Sequence, residues 1–276
     1  MKNDRLITDE DLKSILLDLL KFYSNFCDQN NLRYFLGGGT LLGAVRHSGF
    51  IPWDDDIDVM MPRPDYNRFI ELMKNHEFKH ISLMCNENTK NYPFPFAKLQ
   101  YNNTLLIEGI LYEKYQNIGV HIDVFPIDGL SNELPAAEKQ FSDIQNLLEL
   151  LAVKTTKISW NAFTIRKLLR CILVNTFLRL LSTNTISHYI DSKLQRFDYE
   201  NSKFVASVVG AYGIKELMVK EQVADFLVMD FENLSLRVPI GYDKYLKDHY
   251  GDYMVLPPVD KQKGHAKREV YWRDIE

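Results

Sequence analysis

The stretch Leu36–Asp58, LGGGTLLGAVRHSGFIPWDDDID, limits what this chain can fold into more sharply than any other. It packs three consecutive glycines, an Arg-His pair and four carboxylates into one short span. Glycine lets backbone approach an anion closely, clustered acids hold a hard cation, and an arginine lies between the two. Phosphoryl transfer needs those parts together, because its catalysis is mostly positioning and charge neutralisation. The rest of the chain is read as a scaffold for this span and as the source of its missing partners.

Gly37-Gly38-Gly39-Thr40 follows a short strand expected over Arg33–Leu36 and opens a short helix through Arg46. That geometry points backbone N–H groups at an anion, which makes Gly38, Gly39 and Thr40 candidate phosphate contacts. The spacing is not the G-x-G-x-x-G of a dinucleotide fold. It is not a P-loop either, because Ala44 stands where the lysine belongs. Three glycines alone favour a tight turn needing positive φ; their position before the acids reverses that in favour of the anion. Arg46 and His47 would neutralise a diphosphate, the arginine by a bidentate fork, or else cap the C-terminus of that helix.

In Asp56-Ile57-Asp58-Val59 side chains alternate along a strand expected over Ile57–Met61, so both carboxylates share one face and the aliphatics face the core. Two carboxylates on one strand face suit Mg²⁺ or Mn²⁺. An EF-hand is excluded, since loop position six from Asp54 is Val59 and position twelve is Asp65. Trp53 and Val59-Met60-Met61 imply a half-buried site, where unpaired acids are costly without a cation. A third carboxylate is offered by Asp123 in the strand Val120–Phe125, with His121 on the same face. Asp128, after Pro126, reads as a turn cap. Lys98 lies in an otherwise apolar strand, and Tyr250 and Tyr253 read as packing residues.

The 276 residues, 46% of them hydrophobic, can build a sizeable core. A net charge of −4 gives no global attraction for nucleic acid. Cys27, Cys85 and Cys171 lie far apart, without metal spacing, which suits a reducing compartment. Neither a leader-like apolar run at the N-terminus nor a membrane-span-length apolar run is seen, so a cytoplasmic location is expected. Thr8 caps a helix predicted over 9–30, and Pro64 fits the first turn of another through Lys74. Further strands are expected at 81–84, 96–100 and 204–209, and a helix at 135–153. Between Leu150 and Ile190 there is no acid at all, while Arg166–Leu181 reads as a basic amphipathic helix. That segment suits either an anionic membrane surface or an ordinary packed helix with a wet face.

These motifs also carry a resemblance. The glycine turn, the [DE]-h-[DE]-h pair and a distant third acid form the pattern of the nucleotidyltransferase fold. GGGTLLGAVRHSGFIPWDDDIDVMMPRPDY resembles the LicD family of phosphotransferases, and FPFAKLQYNNT, HIDVFPIDG and YGDYMVLPP are similar to its further blocks. The resemblance runs, with gaps, from about Arg33 to His265. It implies transfer of a phospho-alcohol, phosphocholine being the best-known case, from a CDP-linked donor to a glycan. By position it puts metal on Asp56, Asp58 and Asp123, and makes Arg46, Lys98 and Arg63 contacts to donor phosphate or acceptor. One departure is visible: Lys261-Gln262-Lys263-Gly264-His265 follows the Pro-Pro turn where a Lys-Arg and paired histidines are expected.

The fold class expected is α/β (α+β), a nucleotidyltransferase-like mixed-sheet core over residues 1–134. A mainly helical region with a loop-rich tail, 135–276, is expected to pack on that core across a soft boundary. A sugar hydroxyl would attack the distal phosphorus of a CDP-alcohol, CMP would leave, and an acid, Asp123 foremost, would take the proton. The acceptor glycan would be built on a lipid carrier in the case where the basic segment 150–190 seats on a membrane. The rivals are a nucleotidylyl transferase releasing pyrophosphate, a DxD-type glycosyltransferase, and an inactive nucleotide- or metal-binding module.

Overall fold

A computed structural model describes residues 5–107, 118–155, 181–264 and 269–273. Helix α1 (Asp9–Gln29) begins where the Thr8 side chain accepts from the amide of Asp11 at 3.1 Å, with acids in the first turn where the helix dipole favours them. Its stripe of Ile15, Leu16, Leu19, Leu20 and Tyr23 is buried. Strand β1 (Phe35–Leu36) is shorter than expected and runs directly into α2 (Gly38–His47). Arg33 falls outside it because its amide and Nε both donate to Asp65, at 2.9 and 2.7 Å.

Strand β2 (Asp58–Pro62) follows, then α3 (Arg63–Lys74) with proline in its first turn. The next strands are β3 (Ile81–Met84), β4 (Ala97–Tyr101), β5 (Thr104–Ile107) and β6 (His121–Gly129). The main sheet has the order β1-β2-β6-β4-β3, in which β2 and β6 are parallel and the other pairs antiparallel. Helices α1 and α3 share one face of it, joined by the edge-to-face rings of Tyr23 and Phe69 at 5.4 Å.

Strand β6 runs past Pro126, where sequence reasoning expected it to stop. One edge of β6 pairs with β4 through Val124 and then with β7 (Phe204–Ala206) from Asp128. Pro126 falls in the gap between those two partners, where its missing N–H interrupts no antiparallel ladder. Strand β8 (Leu217–Val219) extends that edge.

Residues 135–276, expected to be mainly helical, contribute strand as well as helix. Helices α4 (Leu134–Thr155) and α5 (Thr183–Leu194) bury Ala137, Phe141, Ile144, Ile186, Ile190 and Leu194 in a second apolar cluster. Beyond them the hairpin β9 (Phe226–Phe231)–β10 (Leu234–Pro239) packs against α2 and β1. It precedes α6 (Tyr242–Tyr250), and β11 (Glu269–Trp272) pairs with β5. The hairpin escaped the sequence because Phe226, Leu227 and Val228 are all exposed, so its first strand shows no alternation. The basic helix expected at 166–181 lies, apart from Leu181, outside the described residues. Among the described residues, no helix is long and apolar enough to cross a membrane.

Candidate active site

The acids stand where the two parallel strands begin. Asp58 of β2 is in register with Asp123 of β6, and the amide of Asp123 donates to the carbonyl of Ile57 at 2.9 Å. Asp56 precedes the strand rather than lying in it, yet the alternation holds: Ile57 is buried while Asp56 and Asp58 are half-buried. The glycine turn is locked to the same point. Gly37 donates to the carbonyl of Asp58 at 3.0 Å, and the amide of Asp58 donates to the Thr40 hydroxyl at 2.8 Å. Gly38 has φ +48°, and a Cβ there would come within 2.9 Å of an Asp58 carboxylate oxygen. Only glycine brings the helix start this close to the acids.

Four carboxylates meet here. Burial first, then the charges of Asp56, Asp123 and Asp54, push the Asp58 carboxyl well above the usual range, while Lys98 opposes the shift. Asp54, Asp55 and Asp56 bring oxygens within 4.8 Å of one another. An all-oxygen, mutually repelling donor set fits a hard divalent cation, which relieves the repulsion that raises Asp58. Lys98 is buried, its ammonium 2.6 Å from Asp123 Oδ1 and 2.9 Å from His121 Nε2, under the rings of Phe94 and Phe96.

A cleft of about 770 Å³ opens over these groups. Gly39, Arg46, Asp54, Asp56, Asp58 and Asp123 line it. The lining is also aromatic: Trp53 and Phe125 come from beside the acids, and Tyr212, Tyr250 and Tyr253 from distant sequence, with Asp252, Lys263 and the apolar run Val255–Pro258. The hydroxyls of Tyr212 and Tyr250 lie 2.5 Å apart, and burial keeps both phenols protonated. Arg46 ties α2 to the tail. Its Nη1 donates to the Tyr253 carbonyl at 2.9 Å and its Nε to Nε2 of His47 at 2.9 Å. Burial and the neighbouring Arg46 lower the His47 pKa, consistent with a neutral ring that accepts from the arginine.

Of the residues singled out from sequence, Gly39, Arg46, Asp56, Asp58 and Asp123 therefore face the cleft. Gly38, Thr40, His47, Lys98 and His121 stand behind them as supports. Arg63 does not belong to this group. It leaves the far end of β2, roughly 16 Å from Asp58 at about 3.3 Å per strand residue. There its guanidinium grips Asp128 bidentately, at 2.5 and 2.9 Å, and reaches Asp191 of α5 at 3.0 Å. Asp128 is accordingly no turn cap but a buried strand residue. Asp54 and Tyr212 also line the cleft without having been singled out from sequence, as do Trp53, read only as a sign of half-burial, and Lys263, noted only as part of the departure after the Pro-Pro turn. Tyr250 and Tyr253, read as packing residues, line the cleft.

Residues 31–141 match the family model described as LicD/FKTN/FKRP, nucleotidyltransferase domain. The chain is 30% identical to the lipopolysaccharide cholinephosphotransferase LicD of Haemophilus influenzae over 276 residues, covering 96% of this chain and 98% of that one. An uncharacterized protein of Rickettsia typhi is 32% identical over 145 residues, 45% of this chain and 47% of its own. The human ribitol 5-phosphate transferase FKRP is 41% identical over 44 residues, 16% of this chain and 9% of that protein.

Proposed function

The chain belongs to the LicD family and is a phosphotransferase of that kind, and we propose that it moves a phospho-alcohol, phosphocholine or a close relative, from a CDP-linked donor to a hydroxyl of a cell-surface glycan precursor. The observation that carries this reading is the in-register pair Asp58–Asp123 lining one cleft together with Gly39 at the start of α2 and Arg46. Asp56, Asp58 and Asp123, with Asp54 beside them, would hold Mg²⁺ or Mn²⁺. Bound there, the cation supplies neutralisation of phosphate charge.

The protein's own groups do the rest. The open N–H groups of the α2 start and the Arg46 fork bind and orient the diphosphate. The aromatic wall narrows the cleft and excludes water from the reacting phosphorus. A carboxylate of the cluster accepts the proton of the attacking hydroxyl. Lys98 holds Asp123 from behind through its 2.6 Å contact, which fixes the orientation of that acid.

The test is identification of the released nucleotide. The protein is incubated with Mg²⁺, a glycan acceptor and, in separate reactions, CDP-choline, CDP-glycerol, CDP-ribitol and nucleotide sugars. Acceptor-dependent CMP is expected with a CDP-alcohol. Pyrophosphate would mean attack at the α-phosphorus, and a nucleoside diphosphate would mean sugar transfer; either overturns the reading. The acid-free stretch 150–190 supports reversible seating at the inner face of an anionic membrane, read out by salt-sensitive co-sedimentation with vesicles.

A further inference from the structure

Beneath the glycine turn lies a buried polar chain that the reaction outlined above does not use. The amide of Gly38 donates to the hydroxyl of Tyr245, on α6, at 3.3 Å. That hydroxyl in turn donates to Oε2 of Glu216 at 3.4 Å. Glu216 and His249 are both buried, and Nε2 of His249 lies 3.4 Å from the same carboxylate oxygen. Because a carbonyl only accepts, Nδ1 of His249 donates to the Tyr245 carbonyl at 2.7 Å, which fixes the ring. The imidazole stacks on Tyr245 at 3.9 Å and meets the edge of Tyr212, a cleft residue, at 4.8 Å. One continuous network thus joins the aromatic wall of the cleft to the backbone of the glycine turn.

We infer that Tyr245, held by Glu216 and His249, is a positioning residue that sets the glycine turn against Asp58 and so orients the α2 amides toward the donor phosphates. Gly38 has φ +48° and touches the space of the Asp58 carboxylate. Its N–H points away from the cleft, into the protein, and the tyrosine hydroxyl is the group that receives it. Without that acceptor a buried amide loses its bond, and the turn gains freedom to rotate. A turn free to rotate aims the following N–H groups of Gly39 and Thr40 less well. Burial first, then the charge of Glu216, raises the Tyr245 pKa, so the hydroxyl stays protonated and bridges donor to acceptor. Tyr245 touches no substrate; it acts through Gly38.

The orienting role rests on the donor-binding reading above, so the experiment has two readouts. Tyr245→Phe and Glu216→Gln are compared with the wild type by amide hydrogen exchange of peptides spanning Phe35–Leu42, and by steady-state kinetics with CDP-choline and acceptor. Tyr245→Phe should speed exchange in the turn and raise the donor KM about five- to tenfold, the size of one lost hydrogen bond, with acceptor KM unchanged. Glu216→Gln keeps an oxygen for the tyrosine and should stay within about twofold of the wild-type donor KM. Unchanged exchange in the turn, or a fall in kcat alone with both KM values intact, overturns the inference. A wild type that releases no CMP from CDP-choline, CDP-glycerol or CDP-ribitol overturns the donor reading instead, while the exchange data still decide whether Tyr245 holds the turn.

Discussion

Lys98 and Asp123 face each other across the antiparallel β4–β6 register, with Nζ 2.6 Å from Oδ1. The lysine is an internal counter-charge for an acid cluster that otherwise repels itself. Its aliphatic stem is buried and its ammonium also meets His121 Nε2. Lys98→Met should therefore destabilise the metal-free protein, by about 3 kcal/mol if the pair behaves as a broken buried one. A divalent cation would replace the missing charge. The rise in melting temperature on adding Mg²⁺ should accordingly be larger for Lys98→Met than for the wild type. Equal rises in the two proteins would show that Lys98 does not share the acids with a cation.

Asp58 makes the opposite prediction for stability. Its folded pKa is raised, so the folded state binds a proton more tightly than the unfolded chain. Stability of the metal-free protein then falls as pH rises from the ordinary aspartate range through that raised value. Asp58→Asn removes the repulsion and should raise the metal-free melting temperature at neutral pH. The same change should cut transfer by more than about 100-fold, since a carboxylate of the cluster is lost. Mg²⁺ should no longer stabilise the variant. Wild-type turnover in Asp58→Asn would remove this residue from the site.

Arg63 separates structure from substrate binding. Its fork holds Asp128, whose side chain is 1% exposed, so Arg63→Ala strands a buried carboxylate at a cost of about 3–5 kcal/mol. The double change Arg63→Met with Asp128→Leu removes both charges and should recover most of the lost stability while keeping transfer activity. Unfolding curves and a transfer assay of the two variants check this. A stable double variant without activity would return Arg63 to the substrate.

Much of the site was legible because phosphate and metal chemistry leave local marks. Gly37–Thr40, Arg46 and Asp56–Asp58 fall in one stretch, and strand alternation puts both acids on one side. The third acid, Asp123, lies between aliphatics in a strand and alone could be structural; it is the match to a two-plus-one carboxylate pattern that singles it out. The sequence could not show that Arg63 pairs with Asp128, because a cation beside a motif looks the same whether it faces substrate or a buried acid 65 residues away. The aromatic wall left no local mark either. Tyr212, Tyr250 and Trp53 come together only through the packing of α6 and the tail, and a tyrosine that lines a cleft has the same sequence signature as one that fills a core. The polar chain Gly38–Tyr245–Glu216 spans 207 residues for its first bond alone, beyond the reach of any periodicity.

Arg46 is the remaining test, because it has two jobs that one substitution can divide. Its Nη1 ties α2 to the Tyr253 carbonyl, and its Nε donates to a His47 ring whose pKa is lowered by burial and by the arginine itself. Arg46→Lys keeps a charge for the tail carbonyl but cannot form a bidentate fork on a diphosphate. Donor KM should rise at least about tenfold, while the melting temperature changes little. Arg46→Gln should lose both the fork and the charge, and also relax His47 toward its ordinary 6.5. In the wild type, a depressed His47 pKa means the unfolded chain takes up a proton that the folded protein resists, so stability falls as pH drops below about 6.5. That slope should flatten in Arg46→Gln and persist in Arg46→Lys. Titration of melting temperature between pH 5 and pH 8, beside donor kinetics, reads both effects; a lysine variant with wild-type donor KM would leave Arg46 only its structural tie.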